Sequence, residues 1–397
     1  MRVLGLMSGT SHDAVDAAAA DLRLEGDTLL LTPLGMVSAP YPEELRAGLA
    51  AALPPAATTM RDVCRLDTRI GQAFAAVAGR ADREVCDGRA DLVVSHGQTV
   101  YHWVEDGRVH GTLQIGSPAW IAEATGCPVV SDLRSRDVAA GGQGAPLVSV
   151  FDTLWLNGRP GVPAALNLGG IANVTVAAGP DGPVAFDTGP ANALVDAAVH
   201  ALTGGRLDYD QDGRLAARGS VDAALLRRLL DEPYYAKPPP KTTGKELFHW
   251  PYLRDALAGR ESLPVEDVVA TVTELTARTV ADAVRSAGAS EVVASGGGTR
   301  NPILMAMLRV ALGGGIPLRT SDELGLPSAA KEAYAFAVLG FLTVHGLAGT
   351  VPTCTGARGP SVLGSITPGR RPLRLPEPAA VPPVRLVLCP GGGVSGG

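Results

Sequence analysis

The chain has 397 residues, which predicts two domains, or three, at about 150 residues per domain. Its formal net charge of -6 argues against a general nucleic-acid-binding protein, which would carry a basic face, but does not exclude a nucleotide whose phosphates are held by backbone N–H groups and Mg²⁺. The five scattered cysteines lack metal-ligand spacing, no apolar run reaches the roughly 20 residues of a membrane span, and the N-terminus lacks a signal-peptide pattern, so we expect a cytoplasmic protein with reduced thiols.

The first half of the chain predicts an α/β domain. An apolar run at residues 3–7 is typical of a buried strand that ends in a tight turn, and residues 15–22 and 29–37 predict two further strands of a hairpin-based sheet. Apolar residues recur every three or four positions within 59–79, which is the spacing of an amphipathic helix. The other predicted elements are a helix at 43–53, strands at 92–95, 112–115 and 128–132, and a helix at 118–125. Strands and helices in this alternation predict an α/β fold.

The second half begins like the first. Residues 164–176 predict a strand, a glycine-rich turn and a strand, which is the architecture of residues 3–22 with different residues. We therefore predict a structural duplication, with lobes at 1–140 and 141–344, residues 345–368 as a candidate to return to the first lobe, and a disordered tail at 369–397. Further predicted elements are a strand at 184–187, a helix at 189–200, a loop or hinge at 233–248, a strand at 291–295, and helices at 265–287, from 302 and at 329–345.

The loop at residues 8–13 joins the first two predicted strands and is a candidate phosphate site. Gly9 allows a phosphate to approach the backbone closely, neighbouring hydroxyl groups can donate hydrogen bonds, and Asp13 or Asp16 could orient water on Mg²⁺. A surface hairpin turn favours the same residue types, so that interpretation stays open. The loop is not a P-loop, because no Gly-Lys-Ser/Thr follows at the required spacing.

Two glycine-rich segments of the second half complement this loop. The turn at residues 167–173 occupies the corresponding position, and two such turns would clamp a triphosphate from both sides, although a plain hairpin also explains its glycines. Gly296, Gly297 and Gly298 lie between a predicted strand and a predicted helix, at the carboxyl end of a strand, where α/β sheets bind ligands. We expect them to bring the backbone against a flat group such as adenosine; a flexible connection is the alternative.

Asp187 is the candidate general base. It ends a predicted buried strand, where a carboxylate can take a proton from a hydroxyl or a water that attacks a phosphate or an anomeric carbon. The alternative is that it caps the helix that follows.

Several polar residues are candidates for contacts to a sugar. Arg134 or Arg136 could pair with a substrate carboxylate in a bidentate manner, or form a salt bridge in an interdomain loop. Gln98 could bond to sugar hydroxyls, and Asn192 is a further candidate substrate contact. The histidines have no metal-site spacing, and Asp13 is the candidate for contact with Mg²⁺.

Together these motifs resemble the anhydro-N-acetylmuramic acid kinase family, within the superfamily of acetate and sugar kinases, Hsp70 and actin. The resemblance covers residues from about 3 to about 367. The motifs that carry it are Gly5-Leu6-Met7-Ser8-Gly9-Thr10-Ser11-His12-Asp13, Ser95-His96-Gly97-Gln98-Thr99, Leu113-Gln114-Ile115-Gly116, the segment 132–146, Asn167-Leu168-Gly169-Gly170-Ile171-Ala172-Asn173, Phe186-Asp187-Thr188-Gly189-Pro190, Lys241-Thr242-Thr243-Gly244-Lys245-Glu246 and Ser295-Gly296-Gly297-Gly298-Thr299.

The resemblance implies two actin-like, ribonuclease H-like lobes with an ATP cleft between them, Mg²⁺ as cofactor and a homodimer. It implies that ATP and water convert 1,6-anhydro-N-acetylmuramic acid to N-acetylmuramic acid 6-phosphate and ADP, in recycling of peptidoglycan. Asp187 would activate the water that attacks C1, and O6 would attack the γ-phosphate as the anhydro bridge opens. With the glycine-rich turns included, the predicted nucleotide contacts are Gly9, Thr10, Ser11, His12, Asp13, Ala14, Val15, Asp16, Asn167, Gly169, Gly170, Gly296, Gly297 and Gly298.

Two positions depart from the family's pattern. Ala14 and Ala191 stand where the family usually has Gly. If either position requires a positive φ, the alanine would cost about 1 kcal/mol or more.

Three other functions are weighed against this one. An actin- or Hsp70-like ATPase would share the nucleotide clamp, and a kinase of another sugar would share the chemistry as well. ADP release that depends on an amino sugar separates the kinase from the ATPase. A dinucleotide-binding oxidoreductase is disfavoured, because no Gly-x-Gly-x-x-Gly opens a helix after the first strand.

Overall fold

The computed structural model describes residues 1–9, 12–54, 56–178, 182–244 and 246–390. Their strands are β1 (Arg2–Met7), β2 (Ala14–Glu25), β3 (Thr28–Pro40), β4 (Leu92–Ser95), β5 (Gln98–Glu105), β6 (Arg108–Ile115), β7 (Val129–Ser131), β8 (Pro163–Leu168), β9 (Ile171–Val176), β10 (Val184–Pro190), β11 (Glu291–Ser295), β12 (Leu318–Thr320), β13 (Ser365–Thr367) and β14 (Arg385–Leu388). Their α-helices are α1 (Glu43–Ala52), α2 (Met60–Val85), α3 (Pro118–Thr125), α4 (Leu133–Ala139), α5 (Ser149–Leu156), α6 (Asn192–Leu202), α7 (Ala223–Leu230), α8 (Trp250–Ala256), α9 (Val265–Ser286), α10 (Pro302–Leu312), α11 (Lys331–Val344) and α12 (Pro352–Thr355).

These elements form two compact α/β units. Unit 1 is Met1–Asn157 together with the chain from Ala330 onward, and unit 2 is Gly158–Ala329. The boundaries differ from the expected ones at 140 and 344, because α5 and α11 pack in unit 1. The α/β class and the division into two units agree with the sequence-based expectation.

Unit 1 is built on a seven-stranded sheet in the order β13-β7-β4-β1-β2-β3-β14. The first three strands form the expected hairpins, and β1, β4 and β7 run parallel, so that their carboxyl ends share one edge. Helix α11 lies directly on β1: a Cβ at Gly5 would stand 2.0 Å from the carbonyl oxygen of Ala333. Glycine is therefore required where strand and helix backbones touch.

The C-terminal segment corrects one expectation. We expected disorder after residue 369, but Arg385–Leu388 pairs in parallel with β3 at the edge of the sheet. Leu386 is buried there, and Arg385 donates a hydrogen bond to the hydroxyl of Thr28 over 2.8 Å. A short apolar run can complete an open sheet edge even when its flanks are rich in Pro and Gly.

Unit 2 carries a five-stranded sheet in the order β10-β9-β8-β11-β12. The hairpin of β8 and β9 confirms the strand, glycine turn and strand that were expected there. Strand β10 continues to Pro190, and α6 begins at Asn192 with Ala191 as its N-cap. The expected helix start at 189 and the capping role for Asp187 are therefore wrong.

No helix within the described ranges is long and apolar enough to cross a membrane.

Candidate active site

The turn after β1 is held by a buried glutamine from another strand. The Oε1 atom of Gln98 lies 2.9 Å from the Ser8 hydroxyl and 3.2 Å from the Tyr41 hydroxyl, and its Nε2 donates to the carbonyl oxygen of Gly9 over 3.2 Å and to that of Thr99 over 3.3 Å. Two acceptor sites and two N–H groups are all that an amide offers. In this structure Gln98 bonds to residues of the turn and its surroundings, and its predicted contact with a sugar stays a prediction.

The rest of this turn is described in part. The amide of His12 donates to the carbonyl oxygen of Gly9 over 3.1 Å, and His12 has a φ of 45°. Thr10 and Ser11 lie outside the described residues. Asp13 is exposed and 3.8 Å from Arg46, whereas the side chain of Val15 belongs to the core. A nucleotide at this turn would therefore meet its backbone and small side chains.

His96 and Arg134 form a second fixed group at the carboxyl end of β4. The Nδ1 atom of His96 lies 2.8 Å from the Gly97 carbonyl oxygen, so that Nδ1 carries the proton and Nε2 accepts from Arg134 Nε (3.1 Å) and Nη2 (2.8 Å). Burial, and then the charge of Arg134, lower the pKa of His96 to about 3. The histidine is therefore a neutral acceptor at physiological pH.

The guanidinium group of Arg134 is held by acceptors within unit 1. Its Nη1 donates to the carbonyl oxygen of Gly144 over 2.7 Å, so each of its three nitrogens already donates within unit 1. Burial lowers the pKa of Arg134 to about 10, which leaves it charged at neutral pH. A substrate carboxylate could use only the second N–H of each terminal nitrogen.

Charged side chains that the sequence did not single out meet at the start of α11. Lys331 and Asp152 are buried, and their Nζ and Oδ1 atoms are 2.7 Å apart. Burial raises the pKa of the neighbouring Glu332, against the opposing effect of Lys331 and Arg134. The charge of Asp16 acts on the same carboxyl group. Two carboxylates, Asp16 and Glu332, thus lie near the candidate phosphate turn.

In unit 2, the predicted glycine-rich segments come together. The amides of Ala191 and Ala193 donate to the carbonyl oxygen of Gly170, that of Asn192 donates to the carbonyl oxygen of Gly169, and the Asn192 Nδ2 donates to the carbonyl oxygen of Leu168. The start of α6 is thereby fastened to the turn between β8 and β9. Asn192 begins α6 and bonds to this turn, and its role as a substrate contact stays a prediction.

The triple-glycine loop packs on the same turn. A Cβ at Gly296, whose φ is 88°, would stand 2.4 Å from Oδ1 of Asn167, and a Cβ at Gly298 would stand 2.7 Å from Cβ of Leu168. Larger residues would push the loop away from the turn. The seven predicted positions thus form one cluster: Asn167, Gly169, Gly170, Asn192, Gly296, Gly297 and Gly298.

Asp187 lies in a polar row across this sheet. It pairs with Asn173 of β9, which pairs with Asn167 of β8, which pairs with Ser295 of β11. Directly paired residues project from the same face of a sheet. A bulge follows Asp187 at once, because Gly189 and not Thr188 pairs with the next residue of β9. Bulges at such places redirect a side chain.

The carboxyl group of Asp187 is suited to accept a proton near neutral pH. It is partly buried, and burial is the main cause that raises its pKa to about 7; Glu246 adds to the rise, and the amide of Thr243, which donates to Oδ2 over 2.9 Å, opposes it. The ideal general base has a pKa near the operating pH. The arrangement can therefore activate a water or a hydroxyl.

The geometry defines a two-unit α/β protein with a cluster of glycine-rich turns in unit 2 and, on the same sheet, a carboxyl group whose pKa is raised to about 7. A sequence model of the family "Anhydro-N-acetylmuramic acid kinase" matches residues 1–369. The chain is 73% identical to the anhydro-N-acetylmuramic acid kinase of Streptomyces avermitilis, over 98% of this chain and 100% of that protein. It is 66% identical to that of Streptomyces coelicolor (99% and 100%) and 42% identical to that of Salinibacter ruber (92% and 96%). The chain belongs to the anhydro-N-acetylmuramic acid kinase family.

Proposed function

We propose that this protein phosphorylates 1,6-anhydro-N-acetylmuramic acid at O6 with ATP while a water molecule opens the anhydro bridge, giving N-acetylmuramic acid 6-phosphate and ADP. The family membership of nearly the whole chain supports the substrate class. The single structural observation that carries the chemistry is the partly buried carboxyl group of Asp187, which is held by the amide of Thr243 and has a pKa raised to about 7.

The bonds and protons balance in one coupled step. Asp187 takes a proton from water, the water oxygen bonds to C1, and the bond between C1 and O6 breaks. The freed O6 takes the γ-phosphoryl group, ADP leaves, and Asp187 returns its proton to solvent. The carboxylate must be ionised to accept the proton, so the rate should rise with pH through about 7.

ATP supplies the phosphoryl group, and the glycine-rich cluster of unit 2 fits such a ligand. Its close backbone contacts leave no room for a Cβ at Gly296 or Gly298. We propose that this cluster and the turn after β1 contact the nucleotide. The proposed turn contacts are Gly9 and His12 to Asp16, with Thr10 and Ser11 among the undescribed residues.

We propose that Mg²⁺ binds together with the phosphates of ATP. Within the described ranges, no group of three or more His, Cys, Asp or Glu side chains could hold a metal ion. Mg²⁺ in such enzymes keeps several waters and needs one or two carboxylates beyond the phosphates. Asp16 suits this role better than Asp13, because Asp16 is less exposed and lies near a second carboxyl group, that of Glu332.

The experiment measures ADP release with a panel of amino sugars, in water enriched in ¹⁸O. The proposal expects release only with the 1,6-anhydro sugar, and the label at C1 of the product rather than in its phosphate. Turnover without any sugar, or label in the phosphate, would contradict it. Asp187→Asn should abolish turnover while nucleotide binding persists.

Cytoplasmic location and a homodimer are also proposed. The five cysteines are all free thiols, which supports a reducing compartment. Light scattering of the purified protein tests the dimer, and fractionation of cells tests the location.

A further inference from the structure

The segment 241–244 is fastened to Asp187 by its backbone. The amide of Asp187 donates to the carbonyl oxygen of Lys241 over 3.0 Å, and the amide of Thr243 donates to Oδ2 of Asp187 over 2.9 Å. One loop therefore holds both the main chain and the carboxyl group of this residue. The position of the loop decides where the carboxyl group points.

The side chain of Lys241 fixes the loop in turn. Its Nζ donates to the carbonyl oxygen of Tyr235 over 2.9 Å and to that of Tyr234 over 3.3 Å, and lies 4.8 Å from the centre of the Tyr234 ring. The hydroxyl of Tyr234 donates to the backbone carbonyl oxygen of Asp187 over 2.8 Å. The contacts thus form a closed ring from Asp187 through Lys241 and Tyr234 back to Asp187.

Tyr234, which links the other two residues of this ring, lies in the core. Tyr234 is 3% exposed, and it packs edge-on against Phe248, which is fully buried. Burial lowers the pKa of Lys241, with Lys237 as a smaller cause, so its ammonium group carries a desolvation penalty that the two carbonyl groups offset. A loop without a structural role would not need a partly buried ammonium group. Its placement indicates a role in holding the loop.

We propose that Lys241 is a positioning residue that holds the proposed base, Asp187, in its reactive orientation through the loop 241–244. The inference rests on the proposed function, because it assumes that Asp187 accepts the proton. The charge of Glu246 acts on the carboxyl group of Asp187, and the charge of Asp187 acts on the hydroxyl of Tyr234. The amide of Thr243 stabilises the ionised carboxylate.

Lys237 offers a matched control. It also places an ammonium group near the Tyr234 ring, at 5.8 Å from its centre, but it is exposed. Replacing Lys237 by Met removes the same positive charge as replacing Lys241, but it leaves the contacts of the loop 241–244 in place.

The test compares Lys241→Met, Lys241→Arg and Lys237→Met by the pH dependence of kcat and by KM for ATP. Lys241→Met should lower kcat by about 10- to 100-fold, since misplacement of a catalytic group by about 1 Å costs this much. The acidic limb of its kcat profile should also move to higher pH, because the loosened amide of Thr243 no longer favours the ionised base. KM for ATP should not change, Lys241→Arg should recover part of kcat, and Lys237→Met should match the wild type.

Other results would overturn the proposal. Wild-type kcat and pH profile in Lys241→Met would do so, and so would an equal loss in Lys237→Met. If Lys241→Met does not fold, Tyr234→Phe removes a single hydroxyl from the same ring; it should lower kcat at constant KM for ATP, and an unchanged kcat would refute the positioning role. Full turnover by Asp187→Asn would instead reject the base itself, which separates the failure of the proposed function from the failure of this inference.

Discussion

Replacement of Asp187 by Asn should make the protein inactive and more stable at the same time. The folded state raises the pKa of this carboxyl group from 3.8 to about 7, chiefly by burial. Folding therefore penalises the ionised form. The penalty is absent below a pH of about 4, and it is complete above about 7. Asparagine has nearly the same shape, its Oδ1 can still accept from the amide of Thr243, and it carries no charge.

The size of the effect follows from the shift. About three pKa units at 1.36 kcal/mol each give a penalty of about 4 kcal/mol at pH 8.5, of which about 2 kcal/mol is already present at pH 5.5. The advantage of the variant over the wild type should therefore grow by about 2 kcal/mol between these two pH values. For a unit of this size, this corresponds to a difference in Tm of about 4–8 °C.

Thermal and urea unfolding of both proteins at pH 5.5 and 8.5 provide the assay. Asp231→Asn is the matched control: Asp231 is an exposed carboxylate of the same unit at the end of α7, and its removal should give no gain that grows with pH. A variant that is less stable than the wild type at pH 8.5, or whose advantage is equal at both pH values, would show that burial does not penalise the ionised form of Asp187. In the kinase assay, loss of turnover at unchanged nucleotide affinity is expected.

Three further predictions test other parts of the structure. Gln98→Leu removes one hydrogen-bond partner from each of the Ser8 hydroxyl, the Tyr41 hydroxyl and the carbonyl oxygen of Gly9, so KM for ATP should rise about 10-fold while KM for the sugar changes less; an unchanged KM for ATP would show that Gln98 does not support the turn. Gly5→Ala should cost about 3 kcal/mol or more in urea unfolding, because the new Cβ meets the backbone of α11, whereas Gly48→Ala has no close contact and should be neutral or stabilising. Glu246→Gln removes a like charge near Asp187, so the acidic limb of kcat should move slightly to lower pH, the direction opposite to that of Lys241→Met.

The sequence predicted the strands and turns that repeat in both halves, because buried strands ending in glycine-rich turns have a strong local pattern. It missed the end of β10, since Gly189 and Pro190 resemble a helix start but here follow a bulge in a strand. It also missed the edge strand β14, whose partner β3 lies more than 350 residues away in the chain. Local patterns do not encode pairing over such distances.

The same limit applied to the candidate site. Asp187 was predicted as the base because it ends a predicted strand beside a glycine-rich segment; the structure continues β10 to Pro190 and raises the pKa of Asp187 to about 7, and its role as a base stays a prediction. The ion pair of Lys331 and Asp152 was not found, because nothing in the sequence relates two residues so far apart. The sequence singled out Gln98 but could not show its hydrogen bonds to Ser8, Tyr41 and Gly9, because those partners come from other parts of the chain.

The two alanines that depart from the family's pattern illustrate why backbone conformation decides such cases. Ala191 has a φ of -126°, and Ala14 begins β2 and is not among the described residues with positive φ. Neither position therefore needs glycine for its conformation, and the penalty considered for a positive φ does not arise. The strict demand for glycine falls instead on Gly5 and Gly296, where another segment lies in contact with the backbone. At Gly5 the lack of space for a Cβ alone requires glycine, whereas at Gly296 the φ of 88° adds to it.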